Sequence, residues 1–70
     1  ILFIDKKLIA EKPNSIFFEF TVEKGGDKSH IWAKCIITPE RMGCYYYILK
    51  NMNDIEKMRP YCENLFNKIH

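Results

Sequence analysis

Seventy residues suffice for one small domain, in which the buried fraction is low and the core correspondingly marginal. Hydrophobic residues at 47% and aromatics at 14% exclude a disordered chain, which resists collapse through low hydrophobicity and high net charge. Eleven Lys and Arg against nine Asp and Glu leave +2, which neither demands nor excludes nucleic acid, because the placement of charge outweighs its sum.

Ile1, Ile4 and Leu8 fall at three- and four-residue spacing around Asp5, Lys6 and Lys7, which predicts the last turns of an amphipathic helix. The chain opens on apolar ILFI without an initiator Met, so an N-terminal part of that helix is expected to be missing. Pro13-Asn14-Ser15 ends it. Ile16 to Glu23 alternates Ile16, Phe18, Phe20 and Val22 against Phe17, Glu19, Thr21 and Glu23, the period-two signature of a strand with one buried face. Gly25-Gly26-Asp27-Lys28 is a turn, and Ile31 to Ile37 follows as a second strand, paired by a hairpin. Pro39 and Gly43 turn the chain again, and Cys44 to Lys50, dense in Tyr and Ile, makes a third strand. Asn53 is placed to cap a final helix, with Asp54 and Glu56 at its positive end and Lys68 near its negative end. Ile55, Met58, Cys62, Leu65 and Ile69 form its apolar stripe. Pro60 predicts either a kink or a helix that begins near Arg59.

The expected architecture is therefore a single α+β domain over residues 1–70, ordered helix-strand-strand-strand-helix. A three-stranded antiparallel sheet carries both helices on one face and leaves the other open. Alternation puts Phe18, Phe20, Ile31, Ala33, Cys35, Tyr45, Tyr47 and Leu49 under the helices. It puts Phe17, Glu19, Thr21, His30, Trp32, Lys34, Ile36, Tyr46, Ile48 and Lys50 on the open face. There, aromatics beside lysines suit the stacking of bases and the neutralisation of phosphates, and equally the docking of a protein. The candidate RNA-binding residues are Lys34, Trp32, Lys50 and Tyr46, with Lys28 and Lys24 of the Gly turn reaching for phosphates. For each of them the plain alternative is a solvated face, and two of the three tyrosines in Tyr45-Tyr46-Tyr47 are expected inside. The third strand presents a free edge that a partner chain can extend.

No catalytic constellation is expected. His30 sits at a turn and His70 at the C-terminus, without a nucleophile, paired carboxylates or a Gly-rich phosphate loop around them. Cys35, Cys44 and Cys62 make no even disulfide set and have no metal-ligand spacing, so they read as reduced core filler, with Cys44 pointing to the open face. Reduced thiols imply a cytoplasmic chain. No cofactor, metal or small-molecule substrate is implied, and no run approaches the roughly 18 apolar residues that span a bilayer.

The segment Cys44 to Ile69, CYYYILKNMNDIEKMRPYCENLFNKI, resembles the nine-kilodalton subunit family of the eukaryotic signal recognition particle. The likeness rests on Cys44 opening the strand, Tyr47 three residues on, Asp54-Ile55 starting the helix, and Tyr61 and Leu65 within it. Upstream, KKLIAEKPNSIFFEFTVEKGG looks like the family's first helix, Pro-containing loop, first strand and Gly turn, with a small gap. The resemblance implies an obligate heterodimer with the fourteen-kilodalton subunit, binding of the Alu domain of the particle RNA, and support of elongation arrest. Of the family's basic contacts, Lys34 matches the second-strand position. Glu19 or Thr21 replaces a first-strand lysine, and Ile48 replaces the third-strand one, with Lys50 two residues on along the same face. The competing reading is an RWD-like protein-interaction module of the kind at the ends of kinetochore coiled coils, using the same face for protein.

Overall fold

The computed structural model describes residues 1–69; His70 lies outside the described residues. They form four strands, β1 (Leu2–Lys12), β2 (Ser15–Lys24), β3 (Asp27–Ile37) and β4 (Met42–Leu49), then a 3-10 turn (Met52–Asp54) and helix α1 (Ile55–Asn67). The strands make one antiparallel meander in the order β1-β2-β3-β4. The expected helix-strand-strand-strand-helix order is thus corrected: four antiparallel strands precede a single C-terminal helix.

The correction lies in β1, and its cause is local. Two register irregularities, between Ile4 and Lys7 and between Leu8 and Ala10, insert extra residues opposite β2. Each bulge shifts the side-chain parity, so the period-two signature of a strand is lost, and Ile4 and Leu8 fall at helical spacing although they pair with Thr21 and Phe18 on opposite sides of the sheet. Asp5, in the first irregularity, has φ of 52°, a left-handed conformation that Asp tolerates better than most residues. Pro13 and Asn14 separate the paired residues Lys12 and Ser15, and so close the first hairpin rather than end a helix.

Elsewhere the elements follow their local chemistry. Gly25 and Gly26, with φ of 60° and 87°, occupy the two central positions between paired Lys24 and Asp27, as a hairpin turn matched to strand twist requires. The β3–β4 loop is closed by Thr38 and Arg41, whose backbone groups bond each other at 2.8 and 3.3 Å. Asn53 does not cap the helix: it lies in the 3-10 turn, which Asn51 caps by accepting from the Asn53 amide at 3.1 Å, and α1 follows Asp54 without a side-chain cap. The helix starts at Ile55, well before Arg59, and carries Pro60 in its interior.

The helix packs on the face carrying Phe17 and Trp32, which with Cys62 and Phe66 form the buried cluster. Ile9, Tyr47, Leu49, Ile55, Met58 and Ile69 pack around it. Phe66, 2% exposed, takes the place expected for Leu65, which is 36% exposed. For β2 and β3 this inverts the expected orientation. Trp32 pairs with Tyr47 across β3–β4, so Tyr47 and Leu49 lie under the helix as expected, while Phe18, Phe20, Ile31 and Cys35 turn to the opposite side.

The cysteine reading is also corrected. Cys35 and Cys44, opposite each other across β3–β4, form a disulfide with Cα atoms 4.0 Å apart, and only Cys62 is a free, buried thiol. The inference from reduced thiols to the cytoplasm therefore loses its premise.

Candidate interaction site

Two features compete as the functional centre: a polar network under the helix and an apolar face on the other side of the sheet. The network is built by strand pairing. Glu19 lies opposite Trp32 and Thr21 opposite His30, all with side chains toward the helix. Glu19 Oε2 is 2.5 Å from His30 Nε2, and His30 Nδ1 is 2.8 Å from Thr21 Oγ1. Arg59, from α1, donates Nε to Glu19 Oε1 at 2.8 Å and Nη2 to Glu19 Oε2 at 3.1 Å, and its Nη1 pairs with exposed Glu56 at 2.6 Å. Because a carboxylate only accepts, His30 donates Nε2–H to Glu19. Its Nδ1 then accepts from the Thr21 hydroxyl, or donates to it in the imidazolium.

Burial pushes the Glu19 carboxyl up, but the hydrogen bonds and charges of Arg59 and His30 outweigh it and hold the group below its ordinary 4.5. The hydrogen bonds that Arg59 donates to Glu19 and Glu56 in turn raise its guanidinium pKa above the ordinary range.

Hydroxyl, imidazole and carboxylate in line is the order of a nucleophilic triad. A nucleophile must present its oxygen to a substrate, however, and Thr21 is 1% exposed, with Arg59 engaging both Glu19 oxygens. A polar hollow of about 400 Å³ is lined by the network itself, Glu19, Thr21, His30 and Arg59, together with Asp5, Lys7, Asn53 and Glu56. Among the described residues no group of His, Cys, Asp and Glu is placed to hold a metal ion. The network is a strut joining β2, β3 and α1. His30 belongs to its centre, 3% exposed in mid-strand, not to a turn.

Lys34 has a structural task as well. At 9% exposure its Nζ donates to the carbonyls of Phe66 at 2.9 Å and Ile69 at 2.7 Å, at and just beyond the end of α1, where Phe66 O also accepts from the Ile69 amide. Burial, then the charge of Lys12, hold its ammonium below the ordinary 10.5. Trp32 is fully buried, and among the described residues its indole N–H has no partner. These two were expected on the open face; the structure places both beneath the helix. Lys28 falls on the helix side too, at an exposed position 3.9 Å from Glu23.

The other face is apolar and uncovered. Register aligns Phe3 with Val22, Leu8 with Phe18, Phe18 with Ala33 and Ala33 with Tyr46, so these side chains share one side. Phe3 is 57% exposed, Leu8 55%, Tyr46 61% and Ile48 57%. Phe18 and Phe20 stack with centroids 5.8 Å apart, and Phe3 tilts against Phe20 at the same distance. Together with Leu8, Ile16 and Lys6 they border an open hollow of about 550 Å³. Lys24 and Lys50 flank Val22, Ile31 and Ile48 at the far end, where Lys50 donates to Ser29 Oγ at 3.0 Å. Tyr46, Lys24 and Lys50 are thus the expected site residues that the structure brings to one exposed face.

No protein-family model, curated protein or solved structure matches this chain. The site therefore rests on its own geometry. Phe18 and Phe20, which alternation assigned beneath the helices, dominate the open face together with Phe3. The available signal was the company kept by the opposite parity: Phe17, Trp32 and Ile36 alternate with the polar residues and need burial more than the polar residues resist it.

Proposed function

We propose that the chain is a protein-interaction module that docks a partner on the open face of its sheet. The observation carrying this reading is the Phe3–Phe18–Phe20 cluster around an unfilled apolar hollow, on a sheet whose opposite face is already closed by α1. A sheet face of this composition is stable when a second layer covers it, and large exposed apolar patches mark interaction surfaces. The partner that fits is an amphipathic helix with a narrow apolar stripe bordered by acidic residues, because Lys6 rims one end of the face and Lys24 and Lys50 the other.

A second reading is favoured by one observation. Tyr46 is exposed on the same face as Phe18, with Ala33 between them, and Lys24 and Lys50 share that face, a set able to stack bases and meet phosphates. The ribonucleoprotein role implied by the signal recognition particle resemblance would then run through Tyr46, Lys24 and Lys50, without Trp32 and Lys34.

Backbone chemical shifts separate the two. The chain is titrated with a designed acidic amphipathic peptide and with a short RNA hairpin, at low and high salt. The first reading expects peptide-induced shifts centred on Phe18, Phe20, Ile31 and Tyr46 that persist at high salt. Binding of the hairpin alone, weakening steeply with salt, selects the second. Shifts centred on α1 would remove the open face from both.

A further inference from the structure

The two edges of the sheet differ in a way that bears on assembly. Edge strands offer unpaired N–H and C=O groups to any chain that can align with them, and proteins blunt such edges with bulges, charges and twists. β1 is blunted by all of these: two register irregularities, a left-handed Asp5, and Lys6, Lys7 and Lys12 along its length. β4 has none. Its pairing with β3 runs without a shift from Ile37↔Met42 to His30↔Leu49, and its sequence, MGCYYYIL, holds no charge and no proline.

We propose that β4 is a self-pairing edge, through which two copies of this chain join antiparallel about a two-fold axis into one continuous sheet. The direction of its free groups follows from β3. The 4.0 Å Cα separation of Cys35 and Cys44 is that of a non-hydrogen-bonded antiparallel pair, so Cys44 turns its backbone groups away from β3. By alternation Met42, Tyr46 and Ile48 do the same, while Tyr45 and Tyr47 bond inward.

A strand meeting its own copy with the axis at Tyr45 sets Met42 opposite Ile48 and Cys44 opposite Tyr46, so all four outward-facing residues find partners at once. The absence of charge in β4 decides for a second copy: no like charges meet at the axis, where β1 would bring its lysines close to their own counterparts. Pairing also shields Met42, 79% exposed, and Tyr46 and Ile48, at 61% and 57%. Both helices fall on the same face, and the open apolar face of each copy continues into the other. The surface involved is the edge of the sheet, so the inference stands apart from the docking reading of its face.

Sedimentation velocity of the 70-residue chain from micromolar to millimolar concentration, with the disulfide intact, tests this. A reversible species of twice the 8.4 kDa chain mass is expected. In it, the amides of Cys44, Tyr46 and Ile48 should be protected from hydrogen exchange, and become unprotected on dilution to monomer. Tyr46→Pro removes one outward N–H without touching a β3–β4 bond, and should weaken the dimer about tenfold or more while α1 and Trp32 keep their native spectra. A second variant, Tyr46→Lys, should weaken it through like charge close to the axis. A chain that stays monomeric at millimolar concentration overturns the proposal. So does a dimer whose Cys44, Tyr46 and Ile48 amides exchange freely. If such a dimer is dissolved by Phe18→Ser, association runs through the open face, which removes the β4 edge and leaves the docking reading standing.

Discussion

Glu19 has no exposed surface and yet carries charge, which is stable only because Arg59 and His30 surround it. Glu19→Gln should cost about 3 kcal/mol in urea denaturation, since it removes the charge and turns one of the two oxygens accepting from His30 and Arg59 into an NH2 that faces their donors. The folded carboxyl sits below 4.5, so its contribution is complete above that pH and is lost as pH falls through the folded value. The variant should accordingly lose part of the acid sensitivity of wild-type stability below pH 4.5; an unchanged slope would assign that sensitivity to other carboxylates. Lys34→Met keeps the aliphatic stem but removes the ammonium that donates to the Phe66 and Ile69 carbonyls at the end of α1. A loss of about 1–2 kcal/mol is expected, with faster amide exchange confined to the last helical turn.

At the scale of elements, α1 and β1 show what a sequence discloses. The helix stripe was legible at Ile55, Met58, Cys62 and Ile69 because helical period survives in an uninterrupted element, and only the choice between Leu65 and Phe66 went astray. β1 was not legible because its bulges erase period two, and nothing within eleven residues says that they are bulges. The alternation of β2 was legible, but its orientation was not: a reader of one strand sends Glu19 and Thr21 to water, whereas the residues that satisfy them, His30 and Arg59, lie eleven and forty positions away. Pro60 stands six positions into α1 and has no N–H for the Glu56 carbonyl, so Pro60→Ala should raise stability by about 1–3 kcal/mol, read as a higher Tm. Reduction of Cys35–Cys44 opens a loop with a sequence separation of nine and should lower stability by about 2–3 kcal/mol. Burial, helped by the charge of Glu19, pushes the Cys62 thiol up to about 11. Iodoacetamide should therefore modify two cysteines in the reduced folded chain and the third only in denaturant.

Across the whole molecule, one side of the sheet carries stability and the other is free for contact. Truncating Trp32 or Phe66 would empty the core at about 3–5 kcal/mol each, whereas Phe18 and Phe20 support mainly each other and Phe3. Phe18→Ser with Phe20→Ser should therefore shift urea stability by only about 1–2 kcal/mol, yet sharply reduce the binding of a hydrophobic dye and of the acidic amphipathic peptide. Full loss of folding in that variant would show that the open face belongs to the core.

The bridge between Cys35 and Cys44 has a further effect on how uniquely this chain specifies itself. In CYYYIL, the residues under the helix are Tyr45, Tyr47 and Leu49, and those on the far side are Cys44, Tyr46 and Ile48. Slide β4 by one position and the two sets trade places with hardly any change in size or polarity, a degeneracy that hydrophobic contrast alone resolves weakly. The covalent link acts as a bookmark, making one of two near-synonymous alignments the only one the oxidised chain can adopt.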